Sequence, residues 1–214
     1  MIDIAVVDYG MGNLRSVSKA LEHVAADKNV VVTSNPQEIA EAGRVVFPGQ
    51  GAMPDCVREL DSRGLREAVI KASVSKPFLG ICIGLQLLFD HSEEGNADGL
   101  GIFSGQVIRF SSSDMHDAHG HKLKVPHMGW NQVYQAQMHP LWAGIENGER
   151  FYYVHSYYVA PEQEALIAGY SEYPKRFTSV VAKDNIFAVQ FHPEKSQHAG
   201  LKLLSNFVQW NGHS

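Results

Sequence analysis

The chain has 214 residues, 44% of them hydrophobic and 19% charged, with a formal net charge of −5. That length and apolar share suit one α/β domain with a substantial core, or at most two small domains, and the lack of a basic stripe argues against nucleic acid as a ligand. Two cysteines, Cys56 and Cys82, make no disulfide framework, no apolar stretch approaches membrane-spanning length, and Met1 to Asp8 lacks the pattern of a signal peptide; the expectation is a cytoplasmic protein in a reducing compartment.

In chain order, Ile2 to Val7 reads as a buried strand, and Leu14, Val17, Ala20, Leu21 and Val24 recur at helical spacing. Val30 to Thr33 is a second strand, followed by a short helix with Asn35 as cap and Pro36 at its first position. Arg44 to Phe47 and Phe78 to Ile81 are further strands, with helical patterns at Pro54 to Leu60 and Leu65 to Ser73 between them. This alternation predicts parallel strands with helices on both faces.

The second half reads differently. Gly105 to Phe110, Gln132 to Gln135, Phe151 to Val159 and Leu166 to Tyr170 are strand-like, with little helix between them. Thr178 to Ala182 and Ile186 to Phe191 flank Lys183-Asp184-Asn185 as a hairpin, and a last helix spans about His198 to Trp210. The expected fold is one α/β domain over residues 1–214: a mixed, mostly parallel central sheet with helices on both faces and antiparallel strands in the second half. Ser111 to His121 is the most loop-like segment.

The chemistry centres on Gly80-Ile81-Cys82-Ile83-Gly84, where an apolar run meets a helix-like pattern. This is the layout of a nucleophile elbow with a thiol in place of a hydroxyl. The glycines permit close backbone approach, and a following helix would favour a thiolate through its free N–H groups and dipole. A single cysteine is more often core filler; the glycine bracket at a strand end tips the reading toward a nucleophile.

A thiol nucleophile in acyl transfer needs a base, a group to orient it and an oxyanion hole. His192 and Glu194, at the end of the apolar run Phe187 to Phe191, supply the first two if side chains two apart on a strand share a side. Alone they could be an exposed pair; with the cysteine motif they complete a triad. Pro48-Gly49-Gln50-Gly51 follows the third strand and is a candidate oxyanion turn around Gln50 and Gly51, with the N–H of Ile83 as second donor.

Together Pro48 to Gly51, Gly80 to Gln86 and His192-Pro193-Glu194 resemble the class I, triad-type glutamine amidotransferase family, across nearly the whole chain. Asp8 to Leu14, Val125 to Asn131, Tyr152 to Tyr158 and His192 to Ser196 are most similar to stand-alone members that feed ammonia to a (β/α)8-barrel synthase subunit in histidine biosynthesis. The resemblance implies a glutaminase: Cys82 attacks the side-chain amide of glutamine, His192 protonates the departing ammonia, and water then hydrolyses the thioester. It implies that Gln86, Glu94, Ser156 and Tyr157 bind the amino-acid end of glutamine. It further implies that Asn13, Trp130 and Lys195 lie at the partner interface, and that no cofactor or metal is needed. Gln50 stands where such members often carry valine, a harmless departure if the donor is a backbone N–H.

Other signals are weaker. Gly10-Met11-Gly12 fails a dinucleotide fingerprint because Arg15 occupies the third small position. His116, His119, His121 and His127 lack metal-ligand spacing, and Cys56 reads as packing. A glutaminase serving pyridoxal phosphate synthesis is disfavoured by Val125 to Asn131, a regulatory subunit by the complete triad, and a cysteine peptidase by Gln86 and Glu94.

Overall fold

The computed structural model describes residues 1–111, 115–116 and 121–213. The first half holds β1 (Ile4–Val7), α1 (Leu14–Val24), β2 (Val30–Thr33), α2 (Pro36–Glu41), β3 (Arg44–Gly49), α3 (Met53–Ser62), α4 (Arg66–Ser73), β4 (Phe78–Cys82) and α5 (Ile83–Gln86). The second holds β5 (Phe89–Ser92), β6 (Ala97–Asp98), β7 (Phe103–Arg109), β8 (His127–Gln135), β9 (Glu149–His155), β10 (Tyr157–Pro161), β11 (Ile167–Glu172), β12 (Arg176–Lys183), β13 (Ile186–Val189) and α6 (Gln197–Gln209).

One mixed sheet runs in the order β2-β1-β3-β4-β13-β12-β10-β7-β5-β6, with β11, β8 and β9 branching from β12. The strands β2, β1, β3, β4 and β13 are parallel. From β12 onward antiparallel pairing dominates. The central β1, β4 and β13 are buried at every residue, as expected of parallel strands covered by helices, whereas β7 alternates buried and exposed over Phe103 to Val107. Asn13 and Asn35 cap α1 and α2 by accepting the N–H groups of Ser16 and Gln37. Helix α1 packs on α6, and α2 on α4.

Four expectations need correction. Phe151 to Val159 is two strands: β9 pairs with β8, β10 pairs with β7, and the chain changes partner at Ser156. Alternation along a strand carries no record of such a change. Phe89 to Ser92 and Ala97 to Asp98 are strands that no apolar pattern announces; β5 is held by pairing with β7. The helix after Cys82 is a single four-residue turn, too short for a helix dipole to govern the sulfur. Strand β13 stops at Val189, and the chain then follows other partners: Gln190 N–H donates to Ser179 O (2.8 Å) and His192 N–H to Tyr152 O (2.9 Å).

Candidate active site

Cys82 ends β4 between two parallel neighbours. Gly49 at the end of β3 is its register partner on one side, and Val189 pairs with Ile81 on the other. The C-terminal ends of β3, β4 and β13 therefore meet, the usual place for chemistry in a parallel sheet. Cys82 sits at φ +56°, ψ −110°, a conformation that a non-glycine residue adopts only when its surroundings enforce it. The enforcement comes from packing: a Cβ on Gly84 would collide with the Phe47 carbonyl oxygen, and one on Gly80 would lie 2.9 Å from the Ala188 Cβ.

His192 and Glu194 meet, but not by strand alternation. Pro193–Lys195 is a single 3-10 turn, and it swings Glu194 back so that Oε1 lies 2.9 Å from His192 Nδ1. Ser196 ties that turn to β9: its Oγ donates to His192 O (2.6 Å) and accepts Tyr152 N–H (2.9 Å). The imidazole Nε2 has no hydrogen-bond partner among the described residues. Burial disfavours its charge, but the neighbouring Cys82 sulfur and Glu194 carboxylate outweigh burial and hold its pKa at about 10. His192 is thus a proton holder poised beside the sulfur, with Glu194 fixing its far nitrogen.

The cleft over Cys82 has a volume of about 420 Å³. Of the residues expected from sequence, Gln50, Gly51, Ile83, Gln86, Glu94, Ser156, Tyr157 and Lys195 line it together with Cys82 and His192. Gly51 has φ +109°, and Gln50 O accepts the Cys56 thiol at 3.6 Å. Across the trans peptide that contact points the Gly51 N–H away from Cys56. Burial pushes the Cys56 thiol up to about 12, so it remains a neutral packing group.

Gln86 Nε2 donates to Tyr157 O and to Gln190 Oε1, both at 3.1 Å, while its Oε1 is buried with no donor among the described residues. Glu94 Oε2 accepts Met53 N–H at 2.8 Å. Two expected residues lie outside the cleft. Asn13 is the exposed cap of α1, although a Cβ on neighbouring Gly12 would lie 3.8 Å from Gln50 N. Trp130 is 42% exposed and sets its ring edge-on to Tyr152. Lys195 Nζ lies 6.0 Å from the centroid of that same Tyr152 ring.

Several site residues escaped the sequence reading. Gln190 donates Nε2 to Cys82 Sγ at 3.7 Å; its one signal was a polar side chain inside the apolar run Phe187 to Phe191. His155 lines the cleft next to Ser156, and Tyr152 links the exposed ring of Trp130 to Lys195. Among the described residues no group of three or more His, Cys, Asp or Glu is placed to hold a metal. His119 lies outside the described residues. Among the described residues no helix is long and apolar enough to cross a membrane.

Solved structures share the fold. A putative GMP synthase component from Thermoplasma acidophilum aligns at TM-score 0.69 and 19% identity, over 98% of this chain and 93% of that one. A glutamine amidotransferase from Thermotoga maritima aligns at TM-score 0.59 and 16% identity, over 90% and 76%. Sequence relatives are much nearer. The imidazole glycerol phosphate synthase subunit HisH of Thiobacillus denitrificans is 70% identical over 210 residues, covering 98% of this chain and 92% of that protein. The protein of the same name from Aromatoleum aromaticum is 66% identical, covering 98% and 99%. The one from Neisseria gonorrhoeae is 56% identical, covering 96% and 99%. Residues 5–210 match the family model described as glutamine amidotransferase class-I. With a cysteine elbow, its histidine and its carboxylate on one sheet edge, the chain belongs to the class I glutamine amidotransferase family.

Proposed function

We propose that this protein is the glutaminase subunit of an imidazole glycerol phosphate synthase, releasing ammonia from L-glutamine for a (β/α)8-barrel synthase subunit in histidine biosynthesis. The observation that carries it is Cys82, held at positive φ beside a buried His192–Glu194 pair. The nearly full-length likeness to proteins named as that subunit supports the pathway.

In this reading the Cys82 sulfur, its proton held by His192, attacks the carboxamide carbon of glutamine. The new oxyanion is met by the backbone N–H of Ile83 and of the Gln50–Gly51 turn. The carbon–nitrogen bond breaks, the nitrogen takes the proton from His192, and ammonia departs, leaving a glutamyl thioester on Cys82. Water then gives a proton to His192 and adds to the thioester carbon; glutamate leaves and the sulfur is restored. Glu194 keeps the ring of His192 oriented throughout.

Gln86 Oε1 and the Glu94 carboxylate suit the α-ammonium of the substrate, and Ser156 and Tyr157 border the same end of the cleft. Trp130, Lys195 and the Asn13 loop form the docking face: Trp130 is exposed, and Lys195 reaches from the cleft toward the ring beneath it. The two cysteines are free and buried, which fits an enzyme of a reducing, cytoplasmic compartment.

The test is ammonia release from glutamine, measured with and without the barrel synthase and its nucleotide ligand. Turnover should be weak alone and rise by about two orders of magnitude in the complex. A chain that releases no ammonia from glutamine in either state defeats the proposal.

A further inference from the structure

We propose that Asn131, His127 and His155 form a hydrogen-bonded relay that fixes Tyr157 O, through the Nδ1–H of His155, where it accepts Gln86 Nε2 and so orients the Gln86 carboxamide, making His155 a positioning residue for the α-ammonium of glutamine. The relay has this role only if the glutaminase reading above holds.

A backbone carbonyl can only accept. Tyr157 O lies 2.8 Å from His155 Nδ1, so the proton of His155 is on Nδ1. A neutral ring then has a bare Nε2, which lies 2.9 Å from His127 Nδ1; the proton of His127 is therefore on its Nδ1. His127 Nε2 in turn accepts from Asn131 Nδ2 at 3.3 Å, and the second hydrogen of that amide goes to Glu172 O at 2.9 Å. Each donor has one acceptor, and the direction of the whole chain is determined.

Its far end is the substrate cleft. Tyr157 O also accepts Gln86 Nε2, whose other hydrogen goes to Gln190 Oε1. Gln190 then turns its own Nε2 to the Cys82 sulfur. A flip of Gln86 would set its oxygen against two acceptors, so Oε1 is held away from them, buried and lacking a donor among the described residues, on a side chain that lines the cleft. An ammonium satisfies that oxygen; a substrate without one leaves it unpaired. His127 is clamped between the rings of Tyr153 and Tyr173, with centroids at 4.8 and 4.0 Å, and Phe110 and Phe177 close around both histidines. Burial holds His127 at about 4 and His155 at about 3, so both rings are neutral, as the relay requires.

The relay occupies the inward side of β8, at His127 and Asn131, while Met128 and Trp130 on the outward side are 61% and 42% exposed. The strand proposed to meet the partner thus also carries the groups that order the pocket.

The experiment uses the complex with the synthase subunit. Two-bond proton–nitrogen correlations of the imidazoles should show His155 protonated on Nδ1. His127→Leu should raise the glutamine KM about tenfold with kcat within about threefold, and should cut the preference for glutamine over glutaramate, which lacks the α-amino group, by about tenfold. His127→Gln keeps an N–H donor and should stay within about threefold of wild type on each measure. Asn131→Leu, which leaves both histidines in place, should raise KM in the same direction. An Nε2-protonated His155 in the wild type overturns the relay, even if a variant fails to fold. So does a His127→Leu enzyme with unchanged KM and unchanged preference. A wild-type complex that leaves glutamine intact is a different failure, that of the glutaminase reading itself.

Discussion

His192 Nδ1 lies 2.9 Å from Glu194 Oε1, and the two side chains are only 2% and 1% exposed. Removing one member of such a pair strands the other without its partner. Glu194→Ala should lower kcat for glutamine by about two orders of magnitude while KM moves less than about threefold, because the carboxylate touches His192, the proposed base, and not the proposed substrate site. Steady-state kinetics of the complex check this, and a KM effect larger than the kcat effect would move Glu194 into the binding site.

Cys82, the proposed nucleophile, is also the electrostatic partner of His192. Cys82→Ala should abolish glutamine-dependent synthesis and leave synthesis from free ammonia intact. The same change should lower the His192 pKa from about 10, because the sulfur is the largest influence raising it. The sign follows for stability. A raised histidine contributes in full below its unfolded value of about 6.5, and the contribution is lost as pH rises through the folded value. Wild type should lose this stabilisation progressively from about pH 6.5 until it is gone near pH 10, and Cys82→Ala over a narrower range that ends at lower pH. Imidazole NMR titration and urea unfolding from about pH 6 to about 10.5 measure both; identical titrations in the two proteins would refute the coupling.

Gly84 is where β3 touches the turn after Cys82. Gly84→Ala puts a methyl group onto the Phe47 carbonyl oxygen, and overpacking against backbone costs about 1–3 kcal/mol. Thermal unfolding should shift down by about 4 °C or more, and glutaminase activity should fall with it, since the displaced turn carries Ile83 and Gln86. An active variant of wild-type Tm would show that the elbow has slack.

Three histidines are buried neutral: His127 and His139 are depressed to about 4, and His155 to about 3, each chiefly by burial. Unfolded, each titrates near 6.5, so below about that pH the unfolded chain binds more protons and stability falls with falling pH. Each contributes a slope of up to about 1.4 kcal/mol per pH unit until its folded value is reached. His139 lies against Phe187 and Trp210, away from the cleft. His139→Phe should therefore flatten the acid limb between about pH 6.5 and 4 by that amount without touching catalysis. Equal slopes in urea unfolding would contradict the assignment.

Trp130 is large, exposed and edge-on to Tyr152. As an anchor for the synthase subunit it predicts that Trp130→Ala weakens that complex by about 2 kcal/mol, about 30-fold in Kd. Stability of the isolated chain should change by less than about 0.5 kcal/mol. Calorimetric titration decides; unchanged affinity removes Trp130 from the interface.

The parallel half was legible in the sequence because parallel strands covered by helices are short apolar runs, and β1, β3 and β4 lie where such runs lie, as does the less buried edge strand β2. The residues of the proposed triad stood out in the sequence because their types and glycine bracket are local demands: only glycine fits at Gly84. What the sequence could not contain was partnership. The break at Ser156 exists because β9 and β10 pair with different strands, and β5 is a strand because β7 and β6 lie on either side of it. Glu194 reaches His192 through a 3-10 turn pinned by Ser196 to β9, not through alternation. Gln190, His155 and His127 are polar residues whose meaning is a chain of hydrogen bonds between groups far apart in sequence. Local chemistry marked Cys82 and His192 as the proposed nucleophile and base; long-range pairing alone decided which buried donors face which acceptors, and so how the cleft is ordered.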